Sequence, residues 1–426
     1  MAEAREDQVG RTIELVFREE AGRIVSSLAA AFGLGRLELI EDALGEALLK
    51  AMRHWSYGNV PPNPAAWLMT VARNRILDVL RRDTRFRAKE IEIAAAAEPG
   101  RRPDAPMPDE LRDDQLRLMF ACCHPQLPPE GRIGLTLKSL CGFSVSEIAR
   151  AFLSTPEAIA KRLARARATL REARVAFEIP AEAELSSRLD SVLHVLYLLF
   201  NEGYSASQGD DLIRLELCAE AIRLATLLTG NAATATPKTH ALLALFFLQA
   251  SRLPARSSGA GEILLLPTQD RSRWDKTMIA KGLLHLDLAA TGEEASSFHL
   301  QAGIAAAHCS AATYEATDWP GIVALYDLLL QIDPSPIVEL NRAIAVAKVH
   351  GPSAGLAAVE SIRNQKGLDR YHLFYAVRAQ FYRTLDRPTE AKRDYRRALE
   401  LTLIPAEREF LERQLRGLWR DKEAGE

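Results

Sequence analysis

Apolar residues recur every three or four positions along most of this chain, the period of a helix with one buried face. Leu37, Ile40, Leu44, Leu48 and Met52 make one such stripe. The stretch Ser56–Pro64 interrupts it with three prolines, which cannot continue a helix. A second helix is predicted from about Ala65 to Arg82, containing Leu68, Val71, Ile76, Val79 and Leu80. Residues 94–110 change character, with an alanine run followed by EPGRRPDAPMPDE, and predict an extended linker. Helical patterning resumes at Leu111 and runs to about Phe177, closed by Ile179–Pro180. Everything beyond reads as helix, with breaks at Gly203–Gly209, Gly230–Pro237, Leu253–Gly261 and Gly351–Pro352. Scarce β-branched runs and abundant Ala, Leu, Arg and Glu point the same way, so the expected fold class is all-α.

The sharpest local signal lies in FSVSEIARAFLSTPEAIAKRLARARATLREAR, residues 143–174. Ser144 and Glu147 have capping-box spacing and start a short helix over 145–152. Thr155 and Pro156 then open a second helix, with a hydroxyl to cap it and a proline where a missing N–H is harmless. Ala149, Ile159 and Leu163 would bury the crossing. The opposite side carries Glu157, Lys161, Arg162, Arg165 and Arg167. An apolar back and a basic front on the second of two short helices fit a helix-turn-helix whose second helix enters the major groove. Thr155 and Glu157, near its start, would reach base edges, and the later cations would hold phosphates.

Near the C-terminus Ala379, Tyr382, Ala391, Tyr395 and Ala398 fall at the intervals of the 34-residue tetratricopeptide (TPR) pattern. Tyr314, Tyr326 and Pro334 precede Tyr382, Tyr395 and Pro405 by about two such periods, and the unit between, around Ile337–Arg370, is degenerate.

Charge adds a partner. The net value of −2 over 426 residues argues for none, but its distribution does. Residues 1–179 hold 27 Lys and Arg against 25 Asp and Glu. Their cations cluster at Arg73, Arg75, Arg81, Arg82, Arg85, Arg87 and Lys89, and again from Lys161 to Arg174. Two basic clusters on a near-neutral background suggest two contacts with phosphate backbone. The five cysteines imply no disulfide framework and suit a reducing cytoplasm. No signal segment is evident, and the longest apolar runs, Val192–Phe200 and Ala241–Leu248, fall short of the roughly 20 residues of a membrane span. Cys122, Cys123 and His124 invite a metal reading, but without a second ligand cluster they read as buried core thiols, so no metal or cofactor is expected. Asn201–Tyr204 and Asp270, Arg271, Trp274 and Asp275 are read as helix caps and junction residues, with a ligand site as the alternative.

Taken together, these segments resemble the extracytoplasmic-function (group 4) sigma factors of the sigma-70 family. EDALGEALLKAMRHW (41–55) resembles region 2.2, PAAWLMTVARNRILDVLRR (64–82) regions 2.3 and 2.4, and residues 111–174 region 4. FACCHPQLPPEGRIGLTLKSL, LFNEGYSAS, QDRSRWD, TDWPGIVALYD and PSPIVELNRAIAVA resemble a subgroup with a long C-terminal TPR-like extension. The resemblance implies a region 2 helical bundle over 10–93 that binds core RNA polymerase and the −10 element. It also implies a linker over 94–110, a region 4 helix-turn-helix over 111–179 that binds the −35 element, and a helical extension over 180–426. By the same resemblance, Glu41, Asp42 and Glu46 would meet the clamp helices of the polymerase's largest subunit. Asn74, with Asn59 and Asn63 of the preceding loop, would hold a flipped −10 base. Arg73, Arg75, Arg81 and Arg82 would hold the melted strand. Promoter DNA and core polymerase are the implied partners, joined by a small YCII-related (DGPF-type) protein, with no membrane.

Two other classes compete with this reading. An enzyme is disfavoured, since the chain has no Gly-rich phosphate loop, HExxH or GxSxG. A helix-turn-helix regulator with a TPR-like sensor, acting without joining core polymerase, would have no use for the 41–46 acidic face or the Asn74 helix.

Overall fold

The computed structural model describes residues 20–55, 60–84, 108–152, 154–204, 213–256, 264–292, 294–402 and 404–423. Helix accounts for 79 % of the described residues, and no strand occurs among them. Two compact units divide at Leu196/Tyr197.

The first unit opens with α1 (20–32), a 3-10 turn (Leu34–Arg36), α2 (Leu37–Trp55) and α3 (Pro64–Thr84). Ile24, Val25 and Leu28 of α1 are buried, as are Leu37, Ile40 and Leu44 of α2. The second half of the expected stripe is displaced, because Leu48 is half-buried and Met52 is 47 % exposed. Ala47, Ala51 and Trp55 take the buried positions. Two alanines let α2 and α3 approach closely, and a pattern weighted toward large side chains passes over them. Leu68, Ala72 and Ile76 supply the buried side of α3, and Trp55 packs on Trp67 with ring centroids 5.4 Å apart.

Most of the expected linker lies outside the described residues. Its last three residues are already helical, since α4 runs Pro108–Cys122 and starts three residues before Leu111. Proline is well tolerated in a first turn. Next come α5 (Pro129–Leu135), a π-helical turn (Thr136–Leu140), α6 (Val145–Ala151) and α7 (Pro156–Glu172). Helix α8 (Glu182–Tyr204) closes the unit and continues into the next.

The second unit contains α9 (Leu215–Thr229), α10 (Pro237–Ala250), α11 (Lys276–Ala289), α12 (Ser297–Ser310), α13 (Trp319–Ile332), α14 (Pro336–His350), α15 (Pro352–Ile362), α16 (His372–Thr384), α17 (Pro388–Leu401) and α18 (Pro405–Glu423). Neighbouring helices in this order pack on one another, α10 with α11, α12 with α13, α14 with α15 and α16 with α17. At Gly282 of α11 even a methyl group would stand 2.6 Å from Leu248, so glycine sets the closeness of the first pair. Ala379, Tyr382, Ala391, Tyr395 and Ala398 all lie in the core of the last pair.

The polar 270s fix local structure. Asp270 caps a 3-10 turn and Asp275 caps α11. Arg271 donates to the carbonyls of His308 at 2.6 Å and Ala311 at 2.7 Å. Trp274, 2 % exposed, lies under the guanidinium groups of Arg252 and Arg271, 5.3 and 4.6 Å from its centroid. Glu202 pairs with Arg214 at 3.0 Å.

Candidate nucleic-acid interface

Helix α3 starts on an asparagine cap, with the Asn63 carboxamide accepting the Ala66 N–H at 3.0 Å. Counting on from Ala66, every fourth residue faces solvent, through Thr70 and Asn74 to Asp78. This row is set by the burial of Leu68, Ala72 and Ile76 on the other side. Asn74 therefore stands mid-helix on an open face, with its amide free to donate and accept. Arg81 and Arg82 are exposed at the end of the helix, Arg81 at 3.8 Å from Asp78. Arg73 is half-buried. Arg75 is held by Glu46 of α2, its Nη2 donating to Oε1 at 2.9 Å and its Nε lying 2.6 Å from Oε2. The structure thus joins a residue expected at the polymerase with one expected at DNA. Asn59, Arg85, Arg87 and Lys89 lie outside the described residues.

The second candidate surface is the α6–α7 pair. Ser144 and Glu147 form the expected capping box, with the Glu147 N–H donating to Oγ at 3.1 Å and the Ser144 N–H to Oε2 at 2.7 Å. Thr155 caps α7 by accepting the Ala158 N–H at 3.2 Å. Its hydroxyl oxygen is thereby engaged in local structure, although the residue is exposed. Ile159, Leu163, Ala166 and Leu170 bury one side of α7. Glu157, Lys161 and Arg165, four residues apart, form an exposed row on the other. Arg162 stands at its edge, 3.5 Å from Glu130 of α5.

Arg167 corrects the expected basic front. It turns inward with 14 % of its side chain exposed and donates to Glu41 of α2. One helical turn is 3.6 residues, so a residue adjacent to buried Ala166 sits at the boundary of the apolar side. Glu41, expected at the polymerase, has only 3 % of its side chain exposed and also accepts from the Ser139 hydroxyl at 2.5 Å. Burial pushes its carboxyl above the usual range, against the opposing pull of Arg167 and Ser139. Asp42, the neighbouring residue, is exposed. Neither Ser139 nor the inward Arg167 is legible as a partner of Glu41 in the sequence, because they lie 98 and 126 residues away.

Cys122, Cys123 and Cys141 are all buried. Among the described residues, no three His, Cys, Asp or Glu side chains are grouped to hold a metal, and no helix is long and apolar enough to cross a membrane.

Comparison with known proteins matches residues 17–86 to the family model described as Sigma-70 region 2, and residues 117–170 to Sigma-70, region 4. Residues 188–290 match a family of unknown function (DUF6596). The uncharacterized protein R00370 of Rhizobium meliloti (strain 1021) is 39 % identical over 384 residues, covering 89 % of this chain and 90 % of that protein. The ECF RNA polymerase sigma factor SigL of Mycobacterium tuberculosis (strain ATCC 25618 / H37Rv) is 36 % identical over 110 residues, covering 26 % of this chain and 59 % of SigL.

Proposed function

We propose that this chain, which belongs to the sigma-70 family, is an alternative sigma factor of the extracytoplasmic-function group that joins core RNA polymerase and directs initiation at promoters with defined −10 and −35 elements. The observation that carries the reading is the pairing of two matched modules with two open polar rows. One row runs Thr70–Asn74–Asp78 on α3, ending near exposed Arg81 and Arg82, and the other is Glu157–Lys161–Arg165 on α7. An exposed amide on a helix can meet the hydrogen-bonding edge of an unpaired base, and terminal arginines suit the adjacent phosphates. A capped helix with a polar row beginning at its N-terminus suits the major groove. Asn63 orients the start of α3 and bounds the base pocket. Glu41, Asp42 and Glu46 supply acidic groups for the clamp helices of the largest subunit, where charge steers association.

The chain performs no bond chemistry in this role. It captures unpaired bases, so melting is driven by binding. The helical pairs of the second unit act as a TPR-like extension that modulates activity in the cytoplasm. Such arrays commonly present a surface to a peptide or protein, and a small YCII-related (DGPF-type) protein is the proposed partner.

Co-purification with core polymerase, followed by transcription in vitro from a promoter library, tests the reading. Stable association and initiation at one pair of elements are expected. Duplex binding without core association would replace the sigma factor with a free-standing regulator.

A further inference from the structure

We propose that the contact between the two modules of the first unit is an intramolecular latch, in which Arg167 and Ser139 occupy the Glu41 carboxylate and keep the chain off core polymerase until the modules part. The inference rests on the sigma-factor reading, and deepens it by naming what must open first.

Three separate contacts build the closed form. Glu41 accepts from Ser139 with one oxygen and from Arg167 with the other, and Glu38, on the preceding turn of α2, lies 3.6 Å from Arg167. Helix α1 meets the π-helical turn with no side chain between them, since a methyl group on Gly22 would overlap the Leu140 carbonyl. The 3-10 turn between α1 and α2 lies against the end of α7, where a Cβ on Gly35 would stand 4.0 Å from Cγ of Arg171. A buried carboxylate answered by two donors, a backbone crossing and a turn contact make a fitted interface. π-helical turns often mark functional sites, and this one supplies both Ser139 and the Leu140 carbonyl.

The closed form cannot serve both promoter elements. Elements centred about 25 base pairs apart lie roughly 85 Å apart along a duplex that rises 3.4 Å per base pair. Here a side chain of α7 is hydrogen-bonded to one of α2. The chain between Thr84 and Pro108 can reach roughly 80 Å when extended, so the modules can part while remaining joined. Lys161, Arg165 and Asn74 stay exposed in the closed form. The latch therefore withholds Glu41, the buried member of the acidic group on α2, while Asp42 and the nucleic-acid rows stay open.

A reversible lock tests the latch in the full-length chain. Gly35 and Arg171 are both exposed, so Gly35→Cys with Arg171→Cys places two accessible thiols across the interface. A disulfide is expected to form on oxidation of the free protein. The oxidised form should retain less than a tenth of the core-polymerase binding of the reduced form, and reduction should restore it. Gly22→Leu, which wedges α1 from the π-helical turn, should raise core binding at least threefold over the unaltered chain. Failure of the disulfide to form, equal core binding by the two redox states, or unchanged binding by Gly22→Leu would each overturn the latch. If the unaltered chain and the reduced variant both fail to bind core, the sigma-factor reading falls, and the latch with it.

Discussion

Asp394 is 1 % exposed and Arg378 answers it with two hydrogen bonds, from Nε at 2.5 Å and Nη2 at 3.0 Å. Asp394→Ala would leave the buried Arg378 guanidinium with only the 3.3 Å contact to Glu360. Removing one partner of a buried pair is costly, so the variant should lower stability by about 3 kcal/mol. Glu400→Ala, which removes the partner of exposed Arg397, should leave it nearly unchanged, since solvent screens a surface pair. Chemical denaturation of both variants measures the contrast. Nothing in the sequence separates these carboxylates, since both lie in one charged helix and only packing buries the first. The exposed row of α7 was legible, because Ile159 and Leu163 dictate which side faces out. Lys161→Ala with Arg165→Ala should reduce promoter-specific initiation at least tenfold while leaving core binding unchanged. Unchanged initiation would overturn the recognition-helix assignment. Arg167 was misread because one residue of helical rotation carries a side chain by 100°, enough to move it from the front to the edge of the buried side.

At the scale of elements, caps were the most readable features. Ser144–Glu147 and Thr155–Pro156 set the starts of α6 and α7 by chemistry confined to a few adjacent residues. Thr155→Ala should lower the stability of the first unit by about 1 kcal/mol, measured by urea titration, through loss of the bond to the Ala158 N–H. The same variant separates capping from base contact. A stability loss with unchanged promoter preference would assign the hydroxyl to the helix alone. Packing surfaces were less readable where they were made of small residues, as at Ala47 and Ala51. The repeat pattern also blurs for a geometric reason. Helices α12, α14 and α16 begin at Ser297, Pro336 and His372, intervals of 39 and 36 residues. A strict 34-residue period therefore aligns only part of the array.

At the scale of the whole molecule, the all-α class followed directly from helical periodicity. The closure of the first unit did not, because Glu41 meets partners on helices separated from it by the whole linker. The second unit carries its own cores and its own buried ion pair, and it continues from the first through a single helix. Truncation after Tyr204, which keeps α8 with the first unit, should alter transcription output at least threefold in an assay with core polymerase. Indistinguishable output would reduce the extension to an accessory docking site.

The Glu41–Arg167 contact also fixes a stoichiometry. A separate inhibitor protein can be outrun by making more of its target, since the excess target is left unbound. A restraint carried on the same polypeptide is present once in every molecule, whatever the level of expression. Raising the gene dose multiplies open and closed chains in the same ratio, and dilution leaves that ratio untouched. Escape then depends on a competitor for the carboxylate, so the supply of free polymerase becomes an input in its own right.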